Sequence, residues 1–580
     1  MKTNAEEGVA TPARPSPIEA VARAFAALEA VNDPAIFISL KPEADALAEA
    51  RALEVNGPMG RPLYGLVFAV KDNIDAIGLD TTAACPAFAY QPKTSSFVVE
   101  KLEAAGAIVL GKTNLDQFAT GLVGVRSPYG VPRNVLKPGL IPGGSSSGSA
   151  VAVAAGIVDF ALGTDTAGSG RIPAGMNGIV GLKPTLGLLS STGMVPACRT
   201  LDTISVFARD VDLAFGVTAI AAGYDSADAY SRRLPTPSLS AAPPVFRVGV
   251  SKPSQRKFFG DANAETAYAA DLDRLRSLGA TLVEIDFEPF HAVARLLYEG
   301  PWVAERYAAT KALIETKPEA FFPVTLKIIG GAKTLTAVST FEAAYRLAEL
   351  RRIVQPLLDS VDCLAVATVP RMYTIDEVEA EPIALNSNLG SYTNFVNLLD
   401  LAAISVPAGR RDDGLPSSLT LIGKAGTDGY LAGLARLIET GRRDGAIHAP
   451  PGRIEIAVVG AHLSGLPLNG QLTSRGGTFI RAVETSADYR LFALPNTTPP
   501  KPGLVRVATA AGTPIATEIW SLDEAGFGAF VAEVPSPLCI GTLRLADGTT
   551  AKGFLAEPEA LLGARDVSSY GGWKNYLASS

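Results

Sequence analysis

Residues 143–156 read GGSSSGSAVAVAAG, and residues 163–175 read GTDTAGSGRIPAG. Both stretches set serines among glycines and then continue into small apolar residues. Such segments contribute little to a core, because glycine loses much backbone entropy on folding and serine buries little apolar area. The chain has only three histidines. The working hypothesis is therefore an enzyme that activates a serine without the help of histidine.

The size and charge of the chain indicate a globular protein of more than one domain that does not bind nucleic acid. With 580 residues it is expected to form two or more domains, because single cores rarely grow beyond about 250–300 residues. Hydrophobic residues make up 47% and charged residues 19%, which is typical of a globular protein. The net charge is −7 and there is no long basic run, so nucleic acid is not expected as a partner.

The cysteines and the apolar runs indicate a soluble protein without a metal site. No CxxC pair occurs, and the histidines are as dispersed as the cysteines, which argues against a zinc site. No stretch reaches about 18 uninterrupted apolar residues, and the N-terminus has no apolar signal core. We expect a cytoplasmic protein with free thiols, no membrane contact, no metal and no cofactor. The thiols are Cys85, Cys198, Cys363 and Cys539.

The first three quarters of the chain alternate strand-like and helix-like segments. Residues 16–56 have the apolar spacing of helices, with Ser16 as a candidate N-cap. The strand-like runs YGLVFAVKDNID and AIVLGKTN flank the helix-like SFVVEKLEAAG, and the same alternation returns at residues 246–287. This pattern predicts a layered α/β domain.

The composition changes after residue 445. Residues 446–453, AIHAPPGR, are typical of a linker. Beyond them IEIAVVGAHL, YRLFALP, GLVRVATAAG and GAFVAEVP are strand-like and separated by turns. We therefore predict a first domain at residues 1–445 and a β-rich second domain at residues 455–580, each with its own core.

Two familiar motifs are matched by pattern alone. Residues 106–113, GAIVLGKT, fit GxxxxGK[ST], but a phosphate loop needs a flexible cradle where this chain has an apolar strand. Residues 144–148, GSSSG, fit the GxSxG elbow of α/β-hydrolases with Ser146 at its centre. The Pro- and Gly-rich residues before it make a poor strand, and no histidine stands in a suitable context. Neither an ATPase nor an esterase is favoured.

A third set of residues is more informative as a group. Lys71 follows a strand-like run, and Ser145 and Ser169 lie in the two glycine-rich stretches, 24 positions apart. Taken singly, Lys71 could be a surface lysine, Ser145 a helix N-cap and Ser169 a turn residue. Those separate explanations do not account for three such segments in one chain.

The segments that carry these residues resemble the amidase signature family. The resemblance covers roughly residues 16–440 and rests on five stretches: LYGLVFAVKDNID, GAIVLGKTN, RNVLKPGLIPGGSSSGSAVAVAAG, ALGTDTAGSGRIPAGMNGIVGLKPT and NLLDLAAISVPAG. It implies the fold of that family, a mixed central β-sheet flanked by helices. The second domain resembles the small β-rich α+β modules of the γ-glutamyl-cyclotransferase type.

The resemblance also implies a catalytic relay. Ser169 would be the nucleophile, Ser145 a bridging serine on a cis peptide, and Lys71 the base. A lysine can remove a proton only when it is neutral, so burial must lower its pKa by about 3 units from the reference value of ~10.4. Ser145 would carry the proton from Ser169 to Lys71 and return it to the leaving ammonia.

The residues around Ser169 would support this chemistry. Small side chains allow consecutive amides to face one point, so an oxyanion hole is expected from the backbone of this loop. Asp165 and Arg171 are expected to brace the loops around it. The expected amide donors are those of Thr166, Ala167, Gly168 and Ser169.

The substrate is indicated by the branch of the family that the chain resembles. The sequence Ala167–Arg171 and the second domain, with GAHLSGLPLNGQL, look like allophanate hydrolase. Allophanate is urea that bears a carboxylate. By resemblance Tyr298 and Arg306 form the carboxylate clamp; they are eight positions apart, which would place them on one face of a helix. Other candidates are the backbone of Gly121 and Leu122, the alternative clamp Arg126, and His462 in the second domain.

Several readings remain beside this one. A general or biuret-type amidase, or a glutaminase-like subunit of a transamidation complex, would share Lys71, Ser145 and Ser169. A surface arginine and a core tyrosine would be the plain explanation of Arg306 and Tyr298, and a structural histidine that of His462. In this family the second domain is thought to help complete decarboxylation of the intermediate. We also expect a homodimer.

Overall fold

The computed structural model describes residues 15–443, 449, 452–508 and 511–579. His448 and most of the predicted linker at residues 446–453 lie outside the described residues.

The first domain combines one large sheet with helices. Its strands are β1 (Phe37–Leu40), β2 (Val67–Lys71), β3 (Ile108–Thr113), β4 (Phe160–Asp165), β5 (Val180–Lys183), β6 (Thr203–Ala208), β7 (Phe246–Ser251), β8 (Ala280–Ile285), β9 (Cys363–Ala367), β10 (Leu401–Arg410) and β11 (Pro416–Lys424). Its helices are α1 (Pro17–Val31), α2 (Glu43–Asn56), α3 (Phe97–Ala104), α4 (Ser147–Ala154), α5 (Ile172–Asn177), α6 (Val211–Ala221), α7 (Ala262–Ser277), α8 (Glu288–Glu299), α9 (Val303–Thr316), α10 (Pro323–Gly330), α11 (Ala337–Asp359), α12 (Ile375–Ala380), α13 (Ala384–Leu389), α14 (Phe395–Leu398) and α15 (Asp428–Thr440).

The sheet is mixed, as predicted. Its eleven strands run in the order β1-β3-β2-β4-β6-β5-β10-β11-β9-β7-β8. β2 is parallel to both β3 and β4, and β7 is parallel to both β8 and β9. The other neighbours are antiparallel. Central strands such as β2 and β4 are buried along their whole length, which explains their continuous apolar sequences.

The N-terminal region follows the sequence closely, with one difference. Ser16 caps α1: its hydroxyl accepts the amide of Glu19 at 3.3 Å, and the Glu19 carboxylate accepts the amide of Ser16 at 2.9 Å. Between the two predicted helices the residues of β1 pair antiparallel with β3. This strand was not predicted, because four residues carry too little periodicity to be distinguished from a loop.

The second domain is built on two small sheets. Its strands are β12 (Ile454–Val458), β13 (Thr478–Glu484), β14 (Tyr489–Ala493), β15 (Pro502–Arg506), β16 (Ala516–Leu522), β17 (Leu538–Arg544), β18 (Thr550–Ala556) and β19 (Arg565–Asp566), and its helices are α16 (Gly470–Thr473), α17 (Glu524–Ala532) and α18 (Trp573–Ser579). The strand orders are β13-β16-β12-β18-β17 and β15-β14-β19.

One element of the second domain differs from the prediction. Residues 528–535, GAFVAEVP, were expected to form a strand, but most of them belong to helix α17. The helix begins at the N-cap Asp523, whose carboxylate accepts the amide of Gly526 at 2.6 Å. A short apolar run does not distinguish a strand from a helix. Here the N-cap at Asp523 favours the helix.

The expectation of separate cores does not hold. One buried apolar cluster includes Tyr430 on α15 together with Phe479 and Trp520 of the second domain. The backbone also joins the domains, since the amide of Ala241 donates to the carbonyl of Phe479 at 2.9 Å. The amide of Phe479 in turn donates to the Ser240 hydroxyl at 2.9 Å. The second domain therefore covers apolar surface of the first.

Candidate active site

Lys71 is the last residue of β2, and its side chain is fully buried. Its Nζ lies 2.7 Å from the hydroxyl of Ser145 and 2.7 Å from the hydroxyl of Thr164, the fifth residue of β4. Burial lowers the pKa of Lys71 to about 7, although the negative charges of Asp116 and Asp202 oppose the shift. A neutral amine at this position is accessible near physiological pH, as a base requires.

Ser145 stands in the loop that precedes α4, and the Gly144–Ser145 peptide is cis. Only glycine fits before it, because a Cβ at Gly144 would lie 2.1 Å from a carboxylate oxygen of Asp116. The Gly144 amide donates to the carbonyl of Leu122 at 2.8 Å, and the amide of Asp116 donates to the Ser145 carbonyl at 3.0 Å. These contacts fix the backbone that presents the Ser145 hydroxyl to Lys71.

Ser169 lies between β4 and α5, in the second glycine-rich stretch. Its side chain is 3% exposed, and its hydroxyl donates to the carbonyl of Gly121 at 3.4 Å. β2 and β4 are adjacent and parallel, so their C-terminal ends meet at one edge of the sheet. Lys71 and the Ser169 loop therefore occupy the same end of the domain.

The amides around Ser169 are divided between two tasks. The amide of Gly168 donates to the Asp165 carboxylate at 3.0 Å, so it is not free to bind an oxyanion. The amides of Thr166, Ala167 and Ser169 have no acceptor among the described residues. Gly168 has φ +130°, and a Cβ there would lie 2.4 Å from the hydroxyl of Thr393. The glycine at this position is required by close packing rather than as a donor.

Asp165 and Arg171 form a fully buried ion pair beside this loop. Arg171 contacts both carboxylate oxygens, with Nε and Nη2 each at 2.9 Å. The Arg171 charge helps to hold the pKa of Asp165 below its usual value despite burial. Because the same carboxylate accepts the amides of Gly168 and Gly170 at 3.0 Å, the pair fixes the backbone around Ser169.

Tyr298 and Arg306 lie close together, but they lie on two helices, whereas a single helix was predicted. Tyr298 lies near the end of α8 and Arg306 in the first turns of α9, with Gly300 at the break between them. The Arg306 guanidinium carbon is 5.8 Å from the centre of the Tyr298 ring. The Tyr298 hydroxyl is buried and has no hydrogen-bond partner among the described residues.

Arg306 is 2% exposed and is held by neutral groups. Its Nη1 donates to the carbonyl of Ala119 at 2.9 Å and to the hydroxyl of Thr120 at 3.1 Å. Within the described residues no carboxylate forms an ion pair with it, whereas the buried Arg171 has Asp165. Burial of a guanidinium without a carboxylate partner is costly, so an anion bound at this position would stabilise it.

The alternative clamp, Arg126, is largely occupied. Its Nη1 donates to the carbonyl of Thr120 at 2.8 Å and its Nη2 to the carbonyl of Pro382 at 2.5 Å. Its side chain is buried, with only Nε lacking a partner in the described part of the chain. Arg126 is therefore better placed to hold the loop at residues 116–126 than to meet a substrate.

The backbone groups of Gly121 and Leu122 differ in availability. The Gly121 carbonyl accepts the Ser169 hydroxyl, which places it at the nucleophile. The Leu122 amide donates to the side chain of Asn386 at 2.8 Å, and its carbonyl accepts the amide of Gly144. Leu122 thus acts on the site through Gly144 rather than through a free polar group.

Sequence reasoning missed three side chains of this site, of which Thr164 and Asp116 are buried and Asp202 is half-buried. Thr164 binds Lys71 directly. Asp116 accepts the amides of Gly124 and Arg126 at 2.9 Å and so shapes the loop around Gly121. Asp202 accepts the hydroxyl of Thr166 and the amide of Ala197, and burial raises its pKa to about 6. Only Thr164, inside the quoted GTDT, had a local signal; Asp116 and Asp202 belong to other segments.

The two pattern matches have structural roles. Lys112 of the GKT match lies in the buried strand β3, where its Nζ pairs with the Asp72 carboxylate at 3.0 Å. Ser146, at the centre of the GxSxG match, hydrogen-bonds with its hydroxyl to the backbone of Thr164, accepting its amide at 3.3 Å. Neither residue is presented to a ligand.

The second domain has its own cavity, of about 150 Å³, beside His462. The His462 ring is stacked on Phe554, with centroids 5.0 Å apart, and its Nε2 lies 2.8 Å from the side-chain oxygen of Gln471. Burial lowers the pKa of His462. Lys501 lines the same cavity and supplies a cation there.

The described residues contain neither a candidate metal centre nor a helix that could span a membrane. No group of three or more histidine, cysteine, aspartate and glutamate side chains in that part of the chain could hold a metal ion. No helix there is long and apolar enough to cross a bilayer. The four cysteines are unpaired.

Two matches to known sequence families show to which family the chain belongs. Residues 19–431 match the family described as Amidase. The chain belongs to the amidase family. Residues 454–578 match the allophanate hydrolase C-terminal domain. The chain thus combines an amidase domain with the C-terminal domain of allophanate hydrolases.

Individual relatives agree with this assignment. The chain is 45% identical to the urea amidolyase of Lachancea kluyveri over 94% of its own length, but it spans only 31% of that protein. It is 36% identical to a glutamyl-tRNA(Gln) amidotransferase subunit of Chloroflexus aggregans, over 67% of this chain and 85% of that one. The crystal structure of Kluyveromyces lactis allophanate hydrolase has a TM-score of 0.76 and 41% identity, with 98% and 97% of the two chains covered. The amidase fold predicted from the sequence is confirmed.

Proposed function

We propose that this amidase hydrolyses allophanate, with Ser169 as its nucleophile. The Ser169 oxygen attacks the terminal amide carbonyl, and the tetrahedral intermediate collapses as ammonia leaves. Water then attacks the acyl-enzyme and releases an amine that carries two carboxylates. That product loses carbon dioxide to give carbamate, which decomposes to ammonia and a second carbon dioxide.

Lys71 and Ser145 move the protons in this scheme. A neutral lysine amine has two N–H bonds and one lone pair. The contact with Thr164 can take one N–H, which leaves the lone pair to accept the Ser145 proton at 2.7 Å. Ser145 then accepts the proton of Ser169, and the reverse transfers protonate the departing ammonia. Rotation of the Ser169 hydroxyl away from the Gly121 carbonyl would open this route.

The free amides of Thr166, Ala167 and Ser169 would bind the oxyanion. They need no side-chain charge, because backbone donors fixed in a buried site stabilise developing charge without reorganising. Asp165 and Arg171 keep the loop rigid from behind. Gly168 is not counted among the oxyanion donors, because its amide donates to the Asp165 carboxylate. Its lack of a side chain allows the loop to pack closely.

The observation that favours allophanate is the unpaired charge of Arg306. The buried guanidinium and the unpartnered hydroxyl of Tyr298 lie side by side. A carboxylate would satisfy both, and its charge-assisted hydrogen bonds would repay the burial of the arginine. Allophanate carries this carboxylate, whereas urea and biuret do not.

The cavity beside His462 supports a second step in the other domain. The dicarboxylated amine is a dianion, and Lys501 supplies a cation next to the histidine. Loss of carbon dioxide leaves electron density on nitrogen, which must be protonated. We propose that His462, oriented by Gln471, assists this decarboxylation.

The cellular setting follows from the same proposal. A protein that consumes allophanate acts in urea degradation or in the catabolism of a larger nitrogen compound, and we place it in the cytoplasm. A glutaminase-like transamidation subunit is less favoured, because the similarity to such subunits covers 67% of the chain. A general or biuret-type amidase would leave Arg306 without a carboxylate.

A substrate panel with the purified protein tests the proposal. Ammonia release is measured with allophanate, biuret, malonamide, glutamine and urea under the same conditions. We expect allophanate to have by far the highest kcat/KM. A preference for biuret or malonamide would exclude allophanate as the main substrate, and a preference for glutamine would favour the transamidation function.

A further inference from the structure

Asp202 lies where the end of one strand meets the start of its neighbour. β4 ends at Asp165 and β6 begins at Thr203, and these two residues are partners in the antiparallel register. Thr166 therefore follows β4 at the point where Asp202 precedes β6. The Thr166 side chain is buried, and its hydroxyl donates to a carboxylate oxygen of Asp202. The carboxylate thus holds the first residue of the loop that contains Ser169.

Further contacts of the same carboxylate lead towards helix α9. The carboxylate accepts the backbone amides of Ala197 and Cys198, at 2.7 and 3.0 Å. Two residues further on, the amide of Thr200 donates to the carboxylate of Glu305 at 2.9 Å. Glu305 lies in the first turn of α9, directly before the arginine of the proposed clamp. One carboxylate therefore connects the loop of the nucleophile with the segment that contacts the clamp helix.

The ionisable groups around Asp202 do not use its hydrogen bonds. The amine of Lys71, the guanidinium of Arg306 and the thiol of Cys198 interact with its charge. Both cations donate their own hydrogen bonds elsewhere, to hydroxyl and carbonyl groups, and neither forms an ion pair with Asp202 in the described part of the chain. The carboxylate instead holds one hydroxyl and two backbone amides, so its contacts fix the geometry of two loops.

We propose that Asp202 is a positioning residue, which acts through the Thr166 hydroxyl on the amides that bind the oxyanion. The inference rests on the proposed function, in which Ser169 attacks an amide carbonyl. Backbone donors stabilise an oxyanion only where they are directed at it before the reaction, and a displacement of about 1 Å can lower a rate about a hundredfold. The bond between Asp202 and Thr166 prevents such a displacement, because it ties the loop to the start of β6.

Thr166→Val tests this link, because valine has the shape of threonine but lacks the hydroxyl. Steady-state kinetics are measured with allophanate and malonamide at pH 9, where Lys71 is neutral and Asp202 is ionised. We expect kcat to fall at least about tenfold with both substrates, while KM changes less than about threefold because the clamp is intact. Thr166→Ser keeps the hydroxyl and should recover most of the activity.

Asp202→Asn tests the other partner of the contact. Asparagine has a single acceptor oxygen, so it cannot accept the hydroxyl on one side and the backbone amides on the other. At pH 9 kcat should fall about as far as in Thr166→Val. The double variant T166V/D202N should be no slower than the slower single variant, because both changes break one contact. Only Asp202→Asn removes a charge, so it alone should shift the rising limb of the pH profile to lower pH.

Thr325→Val is the matched control. Its hydroxyl, on α10, is buried and has no partner among the described residues, so kcat should be unchanged. Circular dichroism checks that each variant is folded.

Three results would overturn the inference: an unchanged kcat in Thr166→Val at pH 9, no recovery in Thr166→Ser, or a loss confined to KM. If Thr166→Val did not fold, an unchanged kcat in Asp202→Asn at pH 9 would decide against it. A preference for an amide other than allophanate would contradict the proposed substrate but not this inference, because an oxyanion forms on every amide carbonyl that the serine attacks.

Discussion

The Nζ of Lys71 lies 2.7 Å from the hydroxyl of Ser145, and both side chains are fully buried. Burial holds the pKa of the lysine near 7, so the amine can be neutral at the pH of a cell. The nearest carboxylates are not in contact with it and oppose the shift only from a distance. In the proposed mechanism this lysine is the base, where serine hydrolases commonly use histidine.

Removal of the relay residues should stop the reaction without unfolding the protein. We expect Ser169→Ala to abolish ammonia release from allophanate, and Lys71→Ala to reduce it by at least about a thousandfold, because a serine without its base is a weak nucleophile. Steady-state kinetics and circular dichroism check both effects.

Ser147→Ala is the matched control. Ser147 is the first residue of α4, two positions after Ser145; it is buried, and its hydroxyl has no partner among the described residues. Its loss should leave kcat nearly unchanged. If Lys71→Ala kept more than about a tenth of the activity, the relay would not act through this lysine.

The pH profile should report the ionisation of Lys71. Below its pKa of about 7 the lysine is protonated and cannot accept a proton, so kcat/KM should rise with pH and level off above about 8. Asp202→Asn removes a negative charge that raises this pKa, so the rising limb should move to lower pH. A rate that is flat from pH 5 to 9, with chemistry limiting, would contradict a neutral-lysine base.

Arg306→Ala should separate the anionic substrate from neutral ones. A charge-assisted pair contributes roughly 1.5–3 kcal/mol, so KM for allophanate should rise about ten- to a hundredfold. Malonamide never uses that contact, and its turnover should change little. Arg295→Ala, at an exposed position of α8, is the control. A parallel loss with both substrates would show that Arg306 supports the fold rather than the carboxylate.

The buried pair of Lys112 and Asp72 should matter for stability rather than for phosphate binding. Both side chains are fully buried, and the Lys112 Nζ lies 3.0 Å from a carboxylate oxygen of Asp72. Lys112→Met would leave this aspartate without its cation. We expect a loss of about 3–5 kcal/mol in the free energy of unfolding, measured with urea. Lys311→Met, on the exposed side of α9, should cost far less. If the two variants were equally stable, the pair would not contribute to the fold.

Short stretches of sequence were enough to single out the three residues of the proposed relay. Lys71, Ser145 and Ser169 stand in glycine-rich or strand-end segments whose spacing is visible in the chain. Tyr298 and Arg306 were expected to lie together and do so, but a helix break at Gly300 replaced the single helix. Apolar periodicity gives the spacing of residues along a helix, but it does not show where the helix ends.

The residues that were missed act across long separations. Asp202 meets Thr166 because β4 and β6 pair in register, and the loop residue Asp116 lies beside Gly144 through loop packing. Neither pairing can be derived from spacing. The joined core has the same origin: Tyr430 and Phe479 belong to one apolar cluster, and the composition of the linker does not reveal this.

The second domain is expected to act only after the first ammonia has been released. His462→Ala should leave the first ammonia release from allophanate unchanged, because the Lys71 relay is intact. The dicarboxylated intermediate should persist longer and the second ammonia should lag behind the first. Rapid sampling near neutral pH with carbon-13 allophanate follows both species by NMR.

Two further variants sharpen this test. Lys501→Met removes the cation of the cavity and should lengthen the lag as well, since the dianion loses a partner. Lys552→Met alters an exposed lysine of β18 and should have no effect. The intermediate can also decarboxylate unaided, so the lag is measured against its rate in enzyme-free buffer. Identical time courses for His462→Ala and the wild type would remove the decarboxylation step from this domain and leave its cavity without a catalytic role.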